Sequence, residues 1–147
     1  MNSEVKGIIF AITSVLTGGS MFLPAFKTEY VTGTKEYVEY TKLMPSILSC
    51  IVLIACGACA FMVFAGLKNY CAWAAAVQVI LGGIDCYLVY NSAHNNILGS
   101  ENMGALLDLF GAKAPEITVT VEWGFYIFII LMAVNFIMSV IYVMSRD

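Results

Sequence analysis

The sequence predicts an all-α membrane fold: a bundle of four transmembrane helices with a small extracytoplasmic β-sheet of about three strands and a short amphipathic helix. Three observations predict it. The composition is 61% hydrophobic and 12% charged, against roughly 25% charged residues in soluble domains. Four stretches reach the roughly 20 mostly apolar residues that crossing a hydrocarbon core about 30 Å thick requires. Charged side chains avoid those stretches with one exception, Asp85, as a cost of roughly 2.5 to 3.5 kcal/mol per charge at the centre of a span demands.

The spans are residues 7–26, 44–67, 70–90 and 123–144, within a single integral membrane domain covering residues 1–147. Lys6 ahead of the first span and Leu23-Pro24-Ala25 at its end give it a superficial likeness to a signal peptide. Leu at the −3 position is a poor cleavage signal, so the segment is expected to be retained. Spans two and three are separated only by Lys68 and Asn69, which predicts a tight helical hairpin and places the longer loops, 27–43 and 91–122, together on the other face. The density of Lys and Arg is higher in the short segments, at Lys6, Lys68 and Arg146, than in those loops. The multi-pass chain is therefore expected in the plasma membrane with both termini cytoplasmic.

The first loop, Thr28 to Tyr40, is rich in aromatic and β-branched residues around Gly33 and predicts a β-hairpin. Glu116-Ile117-Thr118-Val119-Thr120-Val121-Glu122 alternates with the period of a half-buried strand. It is expected to be the third strand, since a hairpin alone is marginal in water. Between these, Met103, Leu106, Leu107 and Phe110 recur at i, i+3, i+4 and i+7, predicting a short amphipathic helix that Gly111 ends and Pro115 keeps from extending. Its apolar stripe is either packed on the sheet and bundle or a candidate partner surface.

The step Phe22-Leu23-Pro24 at the end of the first span and Gly124-Phe125-Tyr126 at the start of the last resemble small four-span bacterial membrane proteins of unassigned function. The layout also resembles the claudin-type architecture, in which a sheet built mainly from the first loop sits on four helices. Residues 27–43 contain neither the Trp motif nor the Cys pair of the claudin first loop. The resemblance therefore implies an architecture and no function.

Asp85 is the one ionisable side chain within a span and so the first functional candidate. It lies about 8 Å below the predicted outer end, counting 1.5 Å per residue from Tyr90. At that depth an acid serves structure, an ion or proton path, or a partner. Gln78 and Asn135 fall at a shared depth, with Thr13 and Ser14 near the same level. This is the pattern of interhelical hydrogen bonding in a membrane, and alternatively of a substrate path.

All five cysteines, Cys50, Cys56, Cys59, Cys71 and Cys86, fall within spans, so no extracellular disulfide framework is expected. Cys50 and Cys86 come to a similar depth and would pair only if their Cα atoms lie within about 7 Å. Cys56-Gly57-Ala58-Cys59 has redox spacing, but no base or cation stands near it in sequence to favour a thiolate. Gly57, Ala60, Ala72, Ala75 and Ala76 are expected to let spans two and three approach closely, and Gly18-Gly19 and Gly82-Gly83 to serve close packing.

His94, the only histidine, has no ligand-spaced neighbours and reads as a solvated loop residue. No catalytic motif, phosphate loop or metal set is present in the sequence, and no enzyme activity or cofactor is expected. A net charge of −3 offers no basic field for nucleic acid. Trp123, Tyr126, Tyr87 and Tyr90 at one end, with Tyr70, Trp73 and Tyr142 at the other, predict two interfacial aromatic belts.

Two functions remain. One is association with itself or with another membrane or envelope protein through the outer face, the bilayer being the other partner. The alternative is a small oligomeric ion- or proton-coupled transporter or channel using Asp85.

Overall fold

A computed structural model describes residues 2–32, 34–44, 46–98 and 117–145. The chain is mostly helical, with helices α1 (Ser3–Ser20), α2 (Ile47–Phe64), α3 (Lys68–Leu98) and α4 (Trp123–Met144), and strands β1 (Pro24–Thr32), β2 (Lys35–Lys42) and β3 (Ile117–Val121). By length and composition, α2, residues 68–94 of α3, and α4 are apolar enough to cross a membrane. Among the described residues this makes three such helices where the sequence predicts four. The first falls short because Glu4 and Lys6 lie inside α1 and Thr13, Ser14, Thr17 and Ser20 dilute its apolar content.

The first predicted span, residues 7–26, is also shorter than expected. The helix ends at Ser20, the chain turns through residues 21–23, and Pro24–Phe26 open β1. Pro24 has no N–H for a helix and biases Leu23 toward extended backbone. At the other extreme α3 runs on to Leu98, well into the predicted outer loop. Its 31 residues span about 46 Å against a hydrocarbon core of about 30 Å. His94 therefore sits half-buried on a helix and not in a loop. The turn between α2 and α3 is made by residues 65–67, with Gly66 at φ +71°, and Lys68 and Asn69 already belong to α3. A side chain at Gly66 would be strained in that left-handed conformation.

The helices form a four-cornered bundle, α1 and α3 each packing on α2 and α4. The sheet has the order β2-β1-β3, antiparallel throughout, with Tyr30 opposite both Tyr37 and Ile117. Phe26 and Thr28 of β1 and their neighbours Val119 and Val121 share one face, as the period of two requires. Phe26 carries that face into the core, its ring 5.6 Å from Tyr90 and 5.4 Å from Phe125. β2 is an edge strand and almost wholly exposed. The predicted amphipathic segment, with Met103, Leu106, Leu107 and Phe110, lies outside the described residues.

The start of α4 is seated by a close approach. A Cβ on Gly124 would collide with the carbonyl of Pro24 and come within 2.8 Å of the Leu23 Cβ. Beside it, the Glu122 N–H donates to the Ala25 carbonyl at 2.9 Å. Two motifs that stand about 100 residues apart in the sequence, Phe22-Leu23-Pro24 and Gly124-Phe125-Tyr126, are thus one junction between sheet and bundle.

Small residues play a narrower part than expected. Gly18 faces Leu53 and Cys56, and Gly82 faces Phe128 and Met132, but Gly19, Gly57 and Gly83 point to open space. Helical periodicity explains this, since adjacent residues on one turn cannot both face the same neighbour.

Candidate functional site

The interior contains two apolar clusters. One, near the sheet, includes Met21, Phe26, Leu43, Val52, Cys86, Val89, Phe128 and Met132. The other, near the α2–α3 turn, includes Phe10, Cys59, Cys71, Ala75 and Tyr142. On α1, α3 and α4 a buried polar residue lies between the two clusters: Thr13 and Ser14, Gln78, and Asn135.

These side chains meet. The hydroxyls of Thr13 and Ser14 both lie 2.8 Å from Oδ1 of Asn135, and each is also 2.9 Å from the Phe10 carbonyl. Asn135 Nδ2 donates to Gln78 Oε1 at 2.8 Å. Gln78 Nε2 then reaches the Cys56 sulfur at 3.1 Å, and the Cys59 thiol lies 3.6 Å from Oε1. The chain of contacts crosses all four helices. Both amide oxygens have donors, so the belt meets the requirement that buried polar groups be satisfied.

Cys56 and Cys59 are the members that sequence reading missed. Their three-residue spacing puts both on one helical face, and that face meets Gln78. All five thiols are free, with Cys50 exposed and Cys86 buried.

Asp85 stands apart from the belt. It is 1% exposed, and its Oδ1 accepts from the Ser46 hydroxyl at 2.8 Å. Ser46 is the N-cap of α2 and forms a reciprocal capping box with Ser49. The Ser49 N–H donates to Ser46 Oγ at 2.9 Å, the Ser46 N–H donates to Ser49 Oγ at 2.7 Å, and the Ser49 hydroxyl donates to the Ser46 carbonyl at 2.9 Å. The Ser46 hydroxyl lies within reach of both Ser49 Oγ, at 2.9 Å, and Asp85 Oδ1, at 2.8 Å. The acid thus extends the cap of a neighbouring helix, where a carboxylate also complements the positive end of the helix dipole. Ser46-x-x-Ser49 before an apolar run has capping-box spacing, which is the signal that could have linked these residues to a helix start.

At the far end of the bundle, Lys68 Nζ donates to the Ser145 carbonyl at 2.6 Å and to the Ser3 hydroxyl at 3.3 Å, and it lies 5.6 Å from the Tyr142 ring centroid. One cation joins the starts of α1 and α3 to the end of α4, where carbonyls lack helical partners. Tyr142 is consequently buried, stacked near Phe10, and does not belong to the exposed ring of Tyr70 and Trp73 at this end. Trp123, Tyr126, Tyr87 and Tyr90 are exposed toward the sheet end.

Among the described residues no group of three or more His, Cys, Asp or Glu side chains could hold a metal. The arrangement offers hydrogen bonding between helices. No protein-family model matches the sequence, and no curated protein matches it at a significant level.

Proposed function

We propose that the chain is a non-enzymatic integral membrane protein of four spans that acts by association, with itself or with another membrane or envelope protein, through its sheet-bearing face. The observation that carries the membrane part is the inversion of α1. Its exposed residues include Val5, Ile8, Ile12, Val15 and Leu16, whereas Thr13, Ser14, Thr17 and Ser20 are buried. A surface helix in water has the opposite arrangement. The other helices follow the same rule, exposing Ile47, Ile54, Phe64 and Trp73 while burying Gln78, Asp85, Asn135 and Ser139. Lipid solvates such a surface, and the buried hydroxyls bond to Asn135 or to carbonyls of their own helix. On this reading α1 spans despite its modest apolarity, because Thr13, Ser14, Thr17 and Ser20 are turned inward and Glu4 and Lys6 lie in its first turn, at the end of the span.

Association is supported by the sheet. β2 is an edge strand bearing exposed Tyr37, Val38 and Tyr40, and edge strands are ready pairing surfaces. Among the described residues, the opposite end has only helix termini and a short turn. The use of Asp85 in capping α2 supports a structural role for it and weighs against the transport alternative. Plasma-membrane placement with cytoplasmic termini remains part of this proposal.

The test is photo-crosslinking from positions 38 and 40 in intact cells, alongside a variant combining Tyr37→Ser, Val38→Thr and Tyr40→Ser. Discrete adducts that the folded variant loses support the reading. A folded variant that keeps every partner of the native chain would overturn it.

A further inference from the structure

Asp85 has two carboxyl oxygens and only one is bonded. Oδ1 accepts from Ser46, whereas Oδ2 is buried without a hydrogen-bond partner among the described residues. A buried acceptor left bare is costly, so its surroundings should supply a donor.

The acid lies at the N-terminal end of α2, an 18-residue helix whose first N–H groups have no carbonyl four residues back. Ser49 N–H is taken by Ser46 Oγ and Cys50 N–H by the Ser46 carbonyl. Ile47 and Leu48 occupy the first two positions of the helix, where the helix cannot satisfy the N–H. An acceptor needing a donor and donors needing an acceptor therefore share one end of α2.

The chemistry of the occupant follows from charge. The positive end of the α2 dipole faces this site, which disfavours a cation. Among the described residues the one ion pair joins Lys27 and Glu29, on the sheet, so no ammonium or guanidinium bonds Asp85. Facing Asp85 are the Ser46 hydroxyl of α2 and, adjacent on α3, the Cys86 thiol. A neutral molecule that donates and accepts, and is small enough for a packed interior, fits both halves of the site.

We propose that one buried water molecule binds between Asp85 Oδ2 and the first-turn N–H groups of α2, at Ile47 or Leu48. The water completes a cap in which Ser46 and Ser49 satisfy two amides and the acid holds the donor for the remainder. This does not depend on the association reading.

The experiment is water–amide cross-relaxation NMR on the full chain in lipid nanodiscs. The expected result is a long-lived water cross-peak at the Ile47 or Leu48 amide. Asp85→Leu should abolish it while the side-chain amide signals of Gln78 and Asn135 stay in place. That variant keeps the Ser46 hydroxyl, so loss of the peak separates a bound water from exchange through the hydroxyl. The proposal is overturned by native protein showing no water cross-peak at either amide, by a peak that survives in Asp85→Leu, or by shifts of both amides that follow sodium and not choline. If Asp85→Leu fails to fold, the native measurement decides, presence at either amide supporting the site and absence overturning it.

Discussion

Asn135 Nδ2 donates to Gln78 Oε1 at 2.8 Å, in the middle of a bundle whose surrounding core is apolar on both sides. That bond joins α4 to α3, and the other ends of the two amides reach α1 and α2. Replacing either amide by Leu should cost about 0.6 to 2 kcal/mol. The double variant should cost less than the sum, because leaving one amide buried without its partner is part of each single cost. A double-mutant cycle by unfolding titration in mixed micelles measures this, and strict additivity would mean the bond contributes nothing.

Gly124→Ala should destabilise the chain by about 1 to 3 kcal/mol, since its Cβ would strike backbone at Pro24 that cannot rotate away. Gly83→Ala, whose Cβ meets open space, should be neutral or stabilising by up to about 1 kcal/mol through helix propensity. Thermal unfolding of the two variants side by side distinguishes them.

Ser46→Ala removes the N-cap of α2 and the one bond to Asp85. The cap is worth about 1 kcal/mol and orphaning a buried acceptor about 1 to 3 more. In an Asp85→Leu background only the first of these remains. The same substitution should therefore be milder there, and equal costs in both backgrounds would show that the Ser46–Asp85 bond is energetically silent.

The chain has two tryptophans, Trp73 near the start of α3 and Trp123 at the start of α4, both exposed. If the bundle spans a bilayer, they lie at opposite interfaces. Single-Trp variants in vesicles should be quenched more by lipids brominated near the headgroup than by lipids brominated at the chain ends. Absence of quenching at both positions would contradict the membrane reading.

Cys50 is exposed, whereas Cys56, Cys59, Cys71 and Cys86 are buried. An apolar maleimide added to the folded protein in detergent should modify one thiol, and full denaturation should expose all five. Intact-mass measurement counts the adducts. Early labelling of Cys56 or Cys59 would show that the face bearing Gln78 opens.

Span-length apolar runs were legible in the sequence because transfer into hydrocarbon depends on composition over about 20 residues, and α4 begins and ends where its composition changes. The hairpin and third strand were legible through β-branched and aromatic alternation, which is local. The depth matching of Thr13, Ser14, Gln78 and Asn135 was also legible, because a helix converts residue number into height. Helix ends were less so: α1 stops six residues before the apolar run ends at Phe26, and α3 continues eight residues past Tyr90. Burial against other elements, as at Ala93 within that continuation, is not written in the local sequence.

By itself the sequence determined an apolar, mostly helical chain with a three-stranded sheet and a set of polar residues at common height, since periodicity and composition act along one segment at a time. Only the tertiary structure decided which way those residues face. It turned the hydroxyls of α1 inward onto Asn135, set Gln78 against two thiols, gave Asp85 to the cap of α2, and closed Gly124 onto Pro24. Rotation of one helix against another is set by packing across the bundle, where partners from distant parts of the chain must satisfy each buried polar group at once.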